Sequence, residues 1–512
     1  MSVKNKNKKR TGNAKLKKGG AGKQEKSNNK NNNSELGITA RKNKDFSEWY
    51  TQVIQKAELI EYSPVSGCMV IRPYAYSMWE AIREFIDTEI KKLGVQNAYF
   101  PLFIPEKMLR KEQEHVKGFT PEVAWVTMHG DTKFEERLAI RPTSETIMYD
   151  AYKKWIRSYK DLPLRLNQWC SVVRWEFKHP VPFLRTREFL WQEGHTAFAR
   201  KQEAEQEVRQ ILDIYARAFE EILAVPVLKG RKSDTEKFAG ANYTDSLETF
   251  MPHGKAIQGG TSHFLGQNFS KAFDITYLDS KGEKKYVFQN SWGFTTRSLG
   301  IMIAMHGDDQ GLVLPPRIAP IHVVIVPIVF SNKPTINRQV MRIAEQVKKE
   351  LSTYKVVLDD REDYNPGFKF NYWELRGVPL RIEIGPRDVK KDQVVTVRRD
   401  TGLKESVKPE DLSVKVIKTL ASIQDNLYTK AKEYLDKSIQ KVSNPEEFKK
   451  AIKKNKIAFA PWCGSDKCES ELKDKTGVKL LNIPFKQSKT KGKCACGCKN
   501  KAKKMAYFAK SY

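Results

Sequence analysis

The stretch that most restricts what this chain can fold into is Val172 to His195, VVRWEFKHPVPFLRTREFLWQEGH. Two apolar, alternating runs flank a Pro-broken turn, which is the pattern of an antiparallel hairpin. Arg174 and Glu176 are two residues apart, so they are expected to share one face of the first strand. Phe189, Trp191 and Glu193 share one face of the second in the same way. Arg185 opens the second run. A sheet face carrying arginines, carboxylates and an aromatic ring suits a nucleotide, because guanidinium forks clamp phosphates, the ring stacks on a base and a carboxylate accepts from an amino group. The same residues would also make a charged surface hairpin with ordinary cross-strand pairs, so both readings stand at this point.

With 512 residues the chain has room for about three domains and a sizeable core. Its net charge of +30 is unevenly spread. Residues 1–44 carry 14 Lys/Arg against 2 Asp/Glu, and residues 430–512 carry 22 against 8, so an ordinary globular body lies between two basic ends. Basic ends suit a polyanion, usually nucleic acid, although Lys-rich tails also serve solubility alone. No apolar run is long enough for a membrane span, and no apolar core follows the basic N-terminus, so neither membrane association nor secretion is expected. Five of the seven cysteines fall in the last 50 residues, which favours a metal over disulfides and a reducing, cytoplasmic location.

Residues 1–44 are Lys, Asn and Gly with almost nothing apolar and are expected to be a disordered tail. From Ala75 to Leu93 a helical stripe recurs at Trp79, Ile82, Phe85, Ile86 and Ile90, with Gly94 placed as its cap. The run NAYFPLFIP follows, and Pro101 makes it an edge or interface strand. Pro142-Thr143-Ser144 reads as a turn into a helix with Glu145 near its start. Residues 202–223 form an amphipathic helix. GRKSDTEKFAGANY and AIQGGTSHFLGQNF are both Gly-rich and polar, and read as loops over a site. Residues 290–306 read as a turn leading into an apolar helix with Arg297 near its start. From His322, strands alternate with helices, which implies a small α/β domain with a mixed or parallel sheet. Residues 413–440 read as helix, and a basic, Cys-bearing segment ends the sequence.

The runs RPTSET, VVRWEFKHP, FLRTREFLWQEGH, KFAGA, IQGGTSH, LGQNFSK, NSWGFTTR, GLVLPPR, KFNYWELRGVPLRIEIGPRD and RRDTG, in this order, resemble prolyl-tRNA synthetases of the eukaryotic and archaeal type. The resemblance covers Asp45 to Tyr512. It implies an α+β architecture: a class II synthetase catalytic domain built on an antiparallel sheet (45–318), an α/β anticodon-binding domain (319–415) and a small zinc-binding C-terminal domain (416–512), after the tail of 1–44. It implies an ATP-dependent proline–tRNA ligase acting on L-proline and tRNA(Pro), with Mg²⁺ on the nucleotide, a structural Zn²⁺ and a homodimer; membership of a multi-synthetase complex is left open.

By the same resemblance, Arg174 binds the α-phosphate and the prolyl carboxylate, and Arg297 packs against the nucleotide; these two are the catalytic pair. Glu176, Arg185, Thr186, Phe189, Gln258, Thr261 and Thr295 complete the ATP site. Thr143, Glu145, Trp191, His263 and Ser291 join Arg174 in the proline pocket, where a carboxylate suits the secondary ammonium and an indole walls the ring. Arg361, Lys369, Glu383 and Arg387, on polar loops and strand ends of the α/β domain, are the tRNA-binding candidates.

Cys463 and Cys468 form C-x4-C, and Cys494, Cys496 and Cys498 form C-A-C-G-C. Two such clusters suggest a four-thiolate zinc site. The family pattern implies Cys463, Cys468, Cys494 and Cys496, although Cys494 with Cys498 is sterically easier than C-x-C. A catalytically silent tRNA-binding relative, and a synthetase for threonine or serine, are the competing readings. The complete arginine and pocket set argues against the first, and TSE with GGTSH against the second.

Overall fold

The computed structural model describes residues 37–115, 122–330, 332–488, 490 and 492–512. Helix α1 (Phe46–Lys56) is capped by the Asp45 carboxylate, which accepts from the Glu48 amide. The expected helix at 75–93 is α2 (Pro73–Lys92), with Pro73 in its first turn and Ile82, Ile86 and Ile90 fully buried. The run with Pro101 is split around the proline: Asn97 ends β1 (Gln96–Asn97), an edge strand, and Phe103–Pro105 pair with Leu138–Ile140 in a separate three-stranded sheet. Helix α3 (Glu145–Trp155) begins at Glu145 as expected. Strands β2 (Leu164–Val173) and β3 (Glu188–Phe198) form the hairpin. Helix α4 (Lys201–Arg217) runs into a π-helical turn at Ala218–Ile222. Then come β4 (Leu228–Arg231), β5 (Tyr243–Met251), β6 (Lys255–Gly266), β7 (Phe288–Thr295) and the buried helix α5 (Arg297–His306). These strands lie in the order β4-β5-β6-β7-β3-β2-β1, antiparallel throughout except β1 with β2.

Four expectations need correction. Residues 1–36 of the expected tail lie outside the described residues, but residues 37–44 are packed on the body. Lys42 donates to the Gly307 and Met305 carbonyls at 2.6 and 3.2 Å and lies over the Trp49 ring. Its amide donates to Asp309 at 2.8 Å. Burial pulls the pKa of the Lys42 ammonium down to about 8, against Asp308 and Asp309, which pull the other way.

The AIQGGTSHFLG run is not a loop but the interior strand β6, paired on both edges. Its glycines serve close packing: a Cβ on Gly259 would sit 2.7 Å from the Phe219 ring, and one on Gly260 3.2 Å from Tyr215. Likewise, residues 288–295 form strand β7 rather than a turn before the helix. Finally, β2 ends at Val173, and Glu176 lies exposed in the turn, so Arg174 and Glu176 do not share a strand face. The backbone explains this. The Arg174 amide still donates to the Arg187 carbonyl at 2.8 Å, but the Trp175 amide goes to Glu122 and the Arg187 amide to Gly67, which ends the ladder.

The α/β domain holds β8 (Val323–Pro327), α6 (Pro334–Glu350), β9 (Val356–Leu358), α7 (Pro366–Leu375), β10 (Leu380–Ile384), β11 (Val394–Arg398) and β12 (Lys404–Val407). Its sheet order is β9-β8-β10-β11-β12, parallel for the first three strands and antiparallel beyond, as a mixed sheet should be. Helix α8 (Leu412–Ser438) leads to the C-terminal segment: β13 (Ile439–Lys441), α9 (Pro445–Lys453), β14 (Ile457–Trp462), α10 (Asp466–Thr476), β15 (Val478–Pro484) and β16 (Lys504–Lys510). Strand β15 pairs with β4, so the C-terminal sheet continues the catalytic one into eleven strands. No helix among the described residues is long and apolar enough to cross a membrane.

Candidate active site

A cavity of about 230 Å³ opens over the middle of the catalytic sheet. It is smaller than a cleft of about 540 Å³ lined by Asp308–Gln310 and the α/β domain, and one of about 890 Å³ on the α/β domain, so chemistry rather than size singles it out. Glu145, Arg174, Phe189, Trp191, Gln258, Thr261, His263, Ser291, Thr295 and Arg297 all line it. They come from α3, the end of β2, β3, β6, β7 and α5, which are far apart in sequence.

Its floor is a buried acid–base cluster. Glu193 accepts from the Ser144 amide at 3.1 Å, from Gln168 at 3.0 Å and from the Ser144 hydroxyl. His195 Nε2 lies 3.1 Å from a carboxylate oxygen of Glu193. Burial alone would push the Glu193 carboxyl up, but the His195, Ser144 and Gln168 contacts outweigh it and hold its pKa below the usual value. Burial disfavours charge on His195, yet Glu145 and Glu193 outweigh it and raise the imidazole above its ordinary value. Thr143 stands just outside the cavity lining and donates to Glu145. The floor therefore carries more negative than positive charge and suits an ammonium group.

The opposite side is cationic. Arg174 donates to the Pro142 carbonyl at 2.9 Å and lies over the Phe189 and Trp191 rings at 5.6 and 5.2 Å. Arg297 is anchored by its Nε to the Leu184 carbonyl at 3.1 Å. Burial, then the nearby Arg174 and Arg185 guanidiniums, pull its pKa down to about 10. Arg174 and Arg297, both lining the cavity, make a site for a strong anion. Arg185, Thr186 and Glu176 do not line the cavity. Arg185 donates to the carbonyl of Tyr512, whose ring lies under its guanidinium at 5.4 Å. Thr186 is buried, and Glu176 is exposed in the turn.

On the third wall, the Thr244 hydroxyl and His263 Nδ1 are 2.8 Å apart, and the Phe238 ring lies 4.8 Å from that of His263. Burial, with His195 and Arg174 nearby, pushes the pKa of His263 down to about 3, so it is neutral at ordinary pH. Trp191 is held by its indole N–H to Cys170 Sγ at 3.3 Å. The Ser291 hydroxyl is buried with no protein partner among the described residues, an unmet hydrogen-bonding group facing the cavity. His195, Thr244 and Phe238 were not among the residues expected from sequence. The alternation Phe189, Trp191, Glu193, His195 along β3 is the signal that identifies His195.

A second cluster lies in the C-terminal segment. The thiols of Cys463, Cys468, Cys494 and Cys498 all lie within 4.8 Å of one another. Cys468 and Cys494 are 3.8 Å apart, and Cys463 and Cys498 3.6 Å. A zinc–thiolate tetrahedron with bonds of about 2.3 Å has edges of about 3.8 Å, so the set fits the ion. The mutually close set contains Cys498 rather than the expected Cys496, whose thiol lies beside it against Cys468 and Cys494. Gly497, at φ +90°, closes a turn on the Cys494 carbonyl and swings Cys498 back to Cys463.

Residues 125–306 match the tRNA synthetase class II core domain (G, H, P, S and T), residues 322–419 the anticodon binding domain, and residues 445–512 the prolyl-tRNA synthetase C-terminal domain. Over 484 residues the chain is 49% identical to the cytoplasmic proline–tRNA ligase of Arabidopsis thaliana, covering 93% of this chain and 91% of that one. The chain belongs to the prolyl-tRNA synthetase family. The proline–tRNA ligase of Natranaerobius thermophilus is 48% identical over 486 residues, covering 94% of this chain and 100% of that one. The bifunctional glutamate/proline–tRNA ligase of Cricetulus griseus is 52% identical over 501 residues, and the chain spans 33% of that relative's length.

In the anticodon-binding domain, Arg361 forks onto Asp359 with bonds of 2.8 and 2.6 Å and lies over the Tyr372 ring at 4.4 Å. Arg387 is exposed on the short helix Pro386–Lys390. Lys369 and Glu383 correct the expectation of polar loops and strand ends. Lys369 lies on the inner side of α7, 3% exposed, donating to the Asp359 carbonyl at 3.0 Å. Glu383 is buried within β10, where Arg381 and Lys404 neutralise it at 3.0 and 3.2 Å. Burial forces both charges to find protein partners.

Proposed function

We propose that the chain is a proline–tRNA ligase: it activates L-proline with ATP and passes the prolyl group to tRNA(Pro). The observation that carries this is one small cavity with an acidic floor at Glu145, Glu193 and His195 and a cationic side at Arg174 and Arg297. The prolyl carboxylate oxygen attacks the α-phosphorus of ATP, and pyrophosphate leaves. A terminal hydroxyl of the tRNA then attacks the prolyl carbonyl, and AMP leaves. Positioning and charge stabilisation are what the residues offer, and neither step needs a protein nucleophile.

Glu145, held by Thr143, receives the secondary ammonium, Trp191 walls the ring, and Ser291 and neutral His263 take up remaining polar contacts. Arg174 spans the carboxylate and the α-phosphate, and Arg297 with Phe189 holds the nucleotide. Gln258, Thr261 and Thr295, which line the same cavity, complete the nucleotide site, and Arg185, Thr186 and Glu176, outside its lining, are assigned to the far end of the bound ATP. Mg²⁺, when bound to the phosphates, would neutralise their charge with few protein ligands. The four thiols of Cys463, Cys468, Cys494 and Cys498 would hold a structural Zn²⁺. Arg361 and Arg387 are the accessible tRNA candidates of the anticodon domain, and the basic ends supply phosphate contacts. Tyr99, exposed just past the edge strand β1, supports a homodimer through that edge. Thiols gathered for a metal rather than paired as disulfides support a cytoplasmic location. The bifunctional relatives are the support for an assembly with other synthetases.

ATP–pyrophosphate exchange with each amino acid in turn tests the reading. Exchange with proline is expected. Exchange with no amino acid would favour the silent tRNA-binding alternative instead. Removing residues 1–36 should leave proline-dependent exchange unchanged while lowering tRNA affinity and flattening its salt dependence. Removal through Lys44 should also lower the thermal midpoint, because it strips the Lys42 contacts. Loss of exchange in the shorter truncation would contradict this placement of the chemistry.

A further inference from the structure

We infer that the C-terminal segment holds the loop of residues 232–242 against the amino-acid pocket, with Ser233 and Glu469 as the pin, so that Glu469 is a positioning residue for proline binding. The inference rests on the reading of the cavity as a proline site. The loop puts Glu236, Lys237 and Phe238 into the cavity wall. The Phe238 amide donates to the Thr244 hydroxyl at 2.9 Å, and that hydroxyl meets His263 at 2.8 Å. The pocket's third wall is thus only as fixed as the loop.

The other end of the loop is tied to the C-terminal segment at four places. The Ser233 hydroxyl donates to Glu469 at 2.7 Å, and both residues are 3% exposed. Glu236 receives Lys473 at 3.1 Å and Lys479 at 3.4 Å. Lys232 donates to the Leu481 carbonyl at 2.8 Å. Ser233 also shapes the loop, since its carbonyl accepts from the Lys237 amide at 3.0 Å. A buried carboxylate is costly unless it is hydrogen-bonded. Glu469 meets a hydroxyl that belongs to the catalytic domain, and it follows Cys468 directly on α10. The helix that carries a thiol of the four-cysteine cluster therefore also carries the pin, and order at the cluster is transmitted to Phe238 and His263.

Steady-state pyrophosphate exchange on the full chain, with KM measured separately for proline and ATP, tests this. Glu469→Ala should raise the KM for proline by about tenfold, the scale of a lost hydrogen bond to a charged group, and leave the KM for ATP within about twofold. Zinc content should be retained. Glu469→Gln keeps an acceptor for Ser233 and should restore the proline KM. Lys473→Glu with Lys479→Glu, on the surface, should repel Glu236 and raise the proline KM by about threefold; it decides the matter if Glu469→Ala does not fold. An unchanged proline KM, or equal rises for both substrates, overturns the inference. A wild-type chain that shows no proline-dependent exchange overturns the functional reading itself.

Discussion

Arg174→Ala should cut proline-dependent pyrophosphate exchange by about a hundredfold or more while leaving the protein folded. The size follows from the position of the guanidinium. It stands over the Phe189 and Trp191 rings and lines the same cavity as Glu145 and Arg297. A carboxylate attacking a phosphate brings two anions together, and the group between them acts most strongly when charge builds up at the phosphorus. Among the described residues, its side chain is held by the Pro142 carbonyl. Losing that contact beside an open cavity costs little stability, so the thermal midpoint should move by only a few degrees. Arg174→Lys should restore little, since an ammonium lacks the planar fork. Near-normal exchange in the alanine variant would reject the role given to this residue.

Cys498→Ser should abolish zinc binding, with zinc measured by elemental analysis, whereas Cys496→Ser should retain one ion per chain. The four thiols that come together are Cys463, Cys468, Cys494 and Cys498, and the 3.6 and 3.8 Å contacts among them match the edges of a zinc tetrahedron. Zinc binding free energy is folding free energy for the segment around it. Cys498→Ser should therefore loosen α9, α10 and the turn at Gly497, visible as faster amide exchange and proteolysis there. Zinc kept in the Cys498 variant and lost in the Cys496 variant would return the fourth place to Cys496.

Much of the local content of this protein follows from the order of its amino acids alone. The 3.6-residue stripe from Trp79 to Ile90, Gly94 at its end, the β-strand run at His322 and the alternation of β3 are short-range signals. They hold because helix and strand periods are properties of neighbouring residues. The site was legible to a similar degree. Ten of the expected residues line one cavity, because their order along the chain carries the resemblance.

The remainder depends on partners brought from far along the chain. Glycine-rich residues 255–266 became an interior strand, where Tyr215 and Phe219 occupy the space that side chains there would fill. The first hairpin strand stopped at Val173 because Glu122 and Gly67 take the next backbone groups. Lys369 and Glu383 were drawn inward by Asp359 and by Arg381. The C-terminal segment joined the catalytic sheet where Ile483 of β15 pairs with Arg231 of β4, with the whole anticodon-binding domain between them in sequence. Each of these turns on a distant partner, and no local pattern records which backbone group, ring or charge will arrive to satisfy it.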